Sequence, residues 1–269
     1  MPELPEVETV TQYLKQKLEK KVISKFSIIN PKLRYPINSE FNNYQNLEIK
    51  EISRRAKYII AKLANKKNIL IHLGMTGNFY QKKIEDYKKH DHFSFILNNQ
   101  ELTYNDTRKF GFIKLLNDQE LNDNFKDHGL EPFGGEISAN YLLKKAANRK
   151  QSIKDFLLSQ KYIVGIGNIY ACEILFKARI HPQTAAKSLT IKNWQSILTH
   201  CQEILRLAIK SGGSTIRDFA VNSEKIGYFA QQLLVYGRQK KACRVCNSEI
   251  KLLKQGGRTT FYCEVCQKK

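Results

Sequence analysis

The sequence predicts an α+β protein of two domains, a helix-led antiparallel β-domain followed by a helical domain that ends in a small cysteine-bearing unit. Three observations predict it. Short β-rich segments recur between residues 22 and 116, parted by turn signals such as Asn65-Lys66-Lys67-Asn68 and Asn98-Asn99. Beyond Glu131-Pro132-Phe133-Gly134-Gly135-Glu136 the apolar spacing becomes helical. Four of the six cysteines fall in the last 27 residues. A chain of 269 residues is long enough for two such units.

The first helix follows from Val7, Val10, Leu14 and Leu18, which are spaced three or four apart and so share one face. Pro5 suits the first helical position, and Glu6 and Glu8 suit the positive end of the helix dipole. Pro2 and Glu3 lie ahead of the helix and outside its apolar face. Removal of Met1, expected before a small residue such as proline, turns Pro2 into a free secondary amine beside a carboxylate. That places a nucleophile next to a proton donor. Strands are expected near 22–30, 48–52, 57–63, 68–73, 92–97, 101–105 and 111–116, a spacing that suits a sandwich or a barrel. Residues 1–130 thus form the first domain and 131–138 a linker. Helices near 139–147, 152–159, 169–178, 190–210 and 214–220 build a second domain over 139–236, with Gly165-Ile166-Gly167-Asn168 parting two of them. Residues 237–269 are too few to hold a core of their own.

Lys and Arg number 45 against 25 Asp and Glu, a net charge of +20 that calls for a polyanionic partner without choosing between DNA and RNA. No apolar run approaches the roughly 18 residues of a membrane span. The acidic N-terminal segment is unlike a signal peptide, so the cytoplasm is expected, or the nucleoid if the partner is DNA. Cytoplasmic proteins do not keep disulfides. Cys172 and Cys201, in apolar helical contexts, are expected to be buried and inert. Cys243-x-x-Cys246, sixteen residues, then Cys263-x-x-Cys266 is the spacing of a ribbon that holds one structural Zn2+. With four thiolates no position stays open to water, so the metal is not catalytic. Between the pairs, Gln255-Gly256-Gly257-Arg258 reads as a hairpin tip that carries an arginine.

Five motifs in order make the chain resemble the formamidopyrimidine-DNA glycosylase family of base-excision repair enzymes. They are Pro2-Glu3-Leu4-Pro5-Glu6-Val7-Glu8-Thr9-Val10, His72-Leu73-Gly74-Met75-Thr76-Gly77, Asn105-Asp106-Thr107-Arg108-Lys109-Phe110-Gly111, Gly165-Ile166-Gly167-Asn168-Ile169-Tyr170, and Val235-Tyr236-Gly237-Arg238 ahead of the ribbon. The resemblance implies a helix plus β-sandwich, then a helix–two-turn–helix domain with a zinc ribbon, and damaged double-stranded DNA in the cleft between them. It also implies a monomeric enzyme that is both glycosylase and AP lyase for oxidised purines. The catalytic residues it implies are Pro2 as nucleophile, Glu3 as general acid and base, Lys57 and Arg258, with Glu6 as a supporting acid. Met75, Arg108 and Phe110 match the side chains that fill the hole left by a flipped nucleotide, Arg108 facing the opposite cytosine. His72, Asn168 and Tyr236 match phosphate contacts.

Two departures stand out. Arg217 takes the place of a lysine usual at this DNA contact, in a segment (214–226) expected to cover the flipped base. Asn247 replaces the glycine after the second cysteine, a substitution that the left-handed backbone tolerates. Two rival readings are an endonuclease VIII-type enzyme for oxidised pyrimidines and a non-catalytic nucleic-acid-binding scaffold. Leu4, where the former carries glycine, and the Met75/Arg108/Phe110 set oppose the first, and intact Pro2 and Glu3 oppose the second.

Overall fold

The structure is a computed structural model that describes residues 1–83, 86–98, 100–213 and 229–269. It divides into two compact units. One is Met1–Lys126 with residues 211–213, the other Asp127–Lys210 with Phe229–Lys269. The first helix, α1, spans Leu4–Leu18, and Pro5 takes its second position rather than the first. The start lies one residue earlier because Glu3 acts as N-cap and forms a reciprocal capping box with Glu6. Leu4, Val7, Val10, Leu14 and Leu18 are all buried on one face, as their spacing requires.

Eight strands follow: β1 (Lys21–Ile28), β2 (Gln45–Arg55), β3 (Tyr58–Leu63), β4 (Asn68–His72), β5 (Asn78–Lys82), β6 (Asp91–Leu97), β7 (Gln100–Asn105) and β8 (Phe112–Leu116). They form one antiparallel sheet in the order β5-β7-β6-β1-β2-β3-β4-β8. The sheet folds over so that Phe79 and Tyr104 from one end share a core with Ile59 and Ile71 from the other, the two halves of a sandwich. Phe26 sits at its centre, 4.5 Å from Phe41 and 5.4 Å from both Phe93 and Phe95 by ring centroids. The sequence pattern did not reveal β5, an edge strand with Phe79 its single buried residue. Nor did it reveal the helix α2 (Asp118–Phe125), which buries only Leu121 and is held by a capping box between Asn117 and Glu120.

The second unit contains α3 (Ala139–Ala146), α4 (Ile153–Leu158), α5 (Asn168–Lys177) and α6 (Ile191–Lys210), then the hairpin β9 (Lys251–Gln255) and β10 (Arg258–Tyr262). Ser138 and Ser152 cap α3 and α4 by accepting from Tyr141 and Asp155 N–H groups. Every residue of α5 from Ile169 to Phe176 is buried, which marks it as the central helix. In the stretch 131–138, the Pro132 carbonyl accepts from Gln202 of α6 at 2.8 Å. The helix expected at 214–220 lies outside the described residues. Among the described residues no helix is long and apolar enough to cross a membrane.

Phe26→Ala opens a cavity under three aromatic neighbours and is expected to cost about 3–5 kcal/mol of stability. A lower urea midpoint with an unchanged m value, their product falling by that amount, is the expected result.

Candidate functional site

The first unit carries the site residues from Pro2 to Phe110. Pro2, Glu3 and Glu6 are all buried at the start of α1, while Met1 outside them is half exposed. The Glu6 carboxylate accepts from the Glu3 N–H at 2.8 Å, which fixes the backbone next to Pro2. Gly213 lies against the same carboxylate, since a Cβ there would come within 3.1 Å of Glu6 Oε1. Its φ of +85° also favours glycine.

Lys57 is buried in the two-residue turn that joins β2 to β3, where Arg55 pairs with Tyr58. His72, at the end of β4, faces Tyr58 across the ladder and stacks on Phe112 at 5.4 Å. Burial lowers its pKa to about 4, and the Lys57 and Arg34 charges push the same way. Its Nδ1 accepts from the Gly74 N–H at 3.1 Å, so the ring proton sits on Nε2. His72 therefore offers an anion a neutral N–H rather than a positive charge.

Met75, Arg108 and Phe110 stand on two loops, β4–β5 and β7–β8, that are clamped to each other. A Cβ on Gly74 would lie 2.3 Å from Gly111 N, so the two backbones touch. The buried carboxylate of Asp106 ties them further. Its Oδ1 accepts from Thr76 Oγ1 at 2.5 Å and from the Arg108 N–H at 3.2 Å, and its Oδ2 from the Gly111 N–H at 2.8 Å. Arg108 and Phe110 are exposed, with the guanidinium 5.0 Å from the ring centre, and Met75 is half buried. Asp106 was missed as a functional residue. An aspartate that opens a loop of exposed cations, able to bond backbone two residues on, was the available signal.

The second unit holds the remaining residues. Asn168 opens α5 and donates through Nδ2 to the Thr259 carbonyl at 2.9 Å, next to Arg258. Glu173, deeper in α5, accepts from the N–H groups of Leu234, Val235 and Tyr236 at 2.8, 2.9 and 2.8 Å. Burial raises its carboxyl pKa against the pull of those three donors. Tyr236 is thereby fixed by its own backbone, and its ring meets Phe261 edge-on at 4.9 Å. Glu173 was also missed, although one acid in an otherwise apolar helix was a visible sign. Arg258 is exposed at a tight turn whose two glycines, Gly256 and Gly257, both have positive φ. Gln255 braces that turn against Ser152, Asp155 and the Pro182 carbonyl. Arg217 lies outside the described residues.

The four sulfurs of Cys243, Cys246, Cys263 and Cys266 lie within 4.8 Å of one another. Contacts of 3.9 Å between Cys243 and Cys266 and 3.4 Å between Cys246 and Cys263 bracket the about 3.8 Å edge of a tetrahedron with 2.3 Å metal–sulfur bonds. The donor set could hold one metal ion. Asn247 adopts φ 60° in the first knuckle and closes it by donating to the Cys243 carbonyl at 3.0 Å.

A helix that opens on Pro-Glu, a sandwich that presents paired loops, and a helical unit with a four-cysteine ribbon define a DNA-repair glycosylase architecture. Comparison with known proteins agrees. The formamidopyrimidine-DNA glycosylase N-terminal domain matches residues 1–113, and the formamidopyrimidine-DNA glycosylase H2TH domain matches residues 128–220. The formamidopyrimidine-DNA glycosylase of Wolbachia sp. subsp. Brugia malayi is 42% identical over 99% of this chain and 100% of its own length. That of Rickettsia bellii (strain OSU 85-389) is 41% identical over the whole of both chains. A mutant Lactococcus lactis FPG, solved with Fapy-dG containing DNA, superposes with a TM-score of 0.93 at 32% identity over the full length of both chains. The wild-type Lactococcus lactis protein, solved with DNA containing an oxidised pyrimidine, gives 0.91 at 32%, again over both full lengths. The chain belongs to the formamidopyrimidine-DNA glycosylase family. It is a DNA glycosylase and AP lyase of base-excision repair.

His72 provides a pH test. As pH falls from about 6.5 toward 4 the unfolded chain takes up a proton that the folded protein refuses, so folded-state stability is lost across that window. Above it the ring is neutral in both states and contributes nothing. NMR titration should place the His72 midpoint near pH 4, and His72→Gln should flatten the stability–pH slope between those limits.

Proposed function

We propose that this chain removes oxidised purines from duplex DNA, with the Pro2 amine as nucleophile, and cuts the strand on both sides of the lost nucleoside. The observation that carries the reading is the N-terminus. Glu3 and Pro2 are buried and their backbone is fixed by the Glu6 carboxylate, while Met1 stands half exposed and accessible to removal.

The base is reached only after the nucleotide leaves the stack. Met75, Arg108 and Phe110 enter the space it vacates, held as one unit by Asp106, and Arg108 donates to the opposite cytosine. The Pro2 lone pair then attacks C1′. The bond from C1′ to the base breaks, and the proton lost from the Pro2 nitrogen leaves with the base. Glu3 supplies a proton to the sugar ring oxygen, the ring opens, and Pro2 is left as an iminium on C1′. The iminium's positive charge acidifies C2′–H. Loss of that proton expels the 3′ phosphate, a second elimination expels the 5′ phosphate, and water releases the sugar fragment from Pro2.

Lys57 touches the DNA backbone and the flipped nucleotide, and His72, Asn168, Tyr236 and Arg258 hold phosphates around the lesion. Arg217 contributes another cation. The set mixes charged donors with the neutral N–H of His72, which suits grip without excess non-specific attraction. Damaged duplex DNA is the polyanion that the net charge of +20 calls for. Cytoplasm, at the nucleoid, is the compartment where that substrate lies. Zn2+ is the ion for the four cysteines, because a closed all-thiolate tetrahedron matches its preference. Bound there it supplies folding energy and orients the hairpin that bears Arg258.

A second reading is favoured by the Lactococcus lactis relative solved with an oxidised pyrimidine, namely that pyrimidine lesions are additional substrates. Borohydride trapping separates the two. A covalent adduct should form with 8-oxoguanine paired with cytosine and vanish in Pro2→Gly or when Met1 is retained. Adducts with oxidised pyrimidines alone would overturn the purine assignment. The zinc assignment is tested by a chelator strong enough to strip thiolate sites. One equivalent of zinc should be released, and cleavage and DNA affinity should be lost while the first unit keeps its β-sheet circular dichroism.

A further inference from the structure

We infer that Glu8 and Arg54 are positioning residues of the reaction, a latch that holds the turn bearing Lys57 to the helix that begins beside Pro2. The inference rests on the roles given to Pro2 and Lys57 above. Arg54 lies in β2 and reaches α1, where its Nε donates to Glu8 Oε2 at 2.7 Å. The same guanidinium turns its other arm back, and Nη1 donates to the Ala56 carbonyl at 3.0 Å. One planar group thus joins the catalytic helix to the peptide unit that leads into Lys57. Lysine, a point charge with no fork, cannot reproduce that geometry.

The turn has a reason to need holding. Ala56 has φ 54°, the left-handed region that a residue with a Cβ adopts at a cost, and it is 1% exposed. Such a conformation persists only where its surroundings over-determine it. With the Ala56 carbonyl released, the dihedrals that relax are those directly before Lys57. The exposures of the Arg54 and Glu8 side chains, 10% and 19%, keep the pair sheltered from the screening that makes surface ion pairs weak. Glu8 is therefore more than an acid suited to the helix dipole. It is the fixed point on α1 from which the turn is measured.

The test is a double-mutant cycle on the full-length, zinc-loaded protein, read by single-turnover cleavage of an 8-oxoguanine duplex and by Kd for a duplex carrying a tetrahydrofuran abasic analogue. Arg54→Gln should slow cleavage about 10- to 100-fold, the scale of an ångström-sized misplacement, while Kd stays within about twofold. Arg54→Lys should recover only part of the rate. In a Lys57→Ala background, Arg54→Gln should cause no further loss, because nothing is left to position. Losses that multiply in R54Q/K57A, or a defect confined to Kd, would overturn the latch while leaving the Lys57 reading intact. A fully active Lys57→Ala would instead remove the Lys57 reading, and the latch with it. If Arg54→Gln does not fold, Glu8→Gln carries the same cycle, since it keeps the shape of the carboxylate and removes the ion pair.

Discussion

A carboxylate bonded to a backbone N–H at the first turn of α1 is the contact on which the rest depends. Glu6 accepts from Glu3, and that single interaction decides where the helix starts, which residue is its cap and which residue is left ahead of it. An ordinary N-cap is a small polar side chain whose replacement by alanine costs about 1 kcal/mol. Here the cap residue is the proposed general acid and the residue before it the proposed nucleophile, so a routine device of helix termination also orients the chemistry. The apolar face of α1, buried along its length, turns that end into a rigid mount. Gly213 packs against the same carboxylate, where a side chain would crowd Glu6.

The same economy recurs away from the N-terminus, with buried carboxylates bonded to backbone donors. Asp106 gathers two loops that carry the exposed Arg108 and Phe110, and Glu173 gathers three successive N–H groups that end at the part-buried Tyr236. A carboxylate is well matched to this work because it accepts several bonds at once and the donors are strengthened by its charge. Other buried charges are met by side chains, Asp91 by Tyr80 and Lys82, and Lys154 by Thr260.

Much of this was legible in the sequence, for identifiable reasons. The amphipathic spacing of α1, the recurrent strands and the CxxC pairs each express a periodicity or a ligand geometry that neighbouring residues impose on each other. The helix start was placed one residue late because the capping box reaches from residue 3 to residue 6, beyond what apolar spacing records. The edge strand β5 and the polar helix α2 were invisible because each buries a single side chain, too little to mark a face. Asp106 and Glu173 escaped for a different reason. Their partners are backbone amides, which carry no residue identity, so the letters marked each acid as out of place without naming what it would hold. The residues expected to touch DNA were legible only through resemblance, since an exposed cation in isolation looks like any solvated one.

The hairpin that ends in Arg258 is fastened at both ends, by the cysteine knuckles at its base and by the brace of Gln255 on Ser152 and Asp155 at its tip. A β-ribbon advances about 3.3 Å per residue and alternates its faces at every step. Insertion or loss of one residue per strand would therefore turn Arg258 to the opposite side, and two per strand would restore the side but shift the tip by about 7 Å, off its seat on α4. The ribbon is consequently a gauge of fixed length. Its residue count is quantised by the distance between four clustered sulfurs and the first turn of a helix.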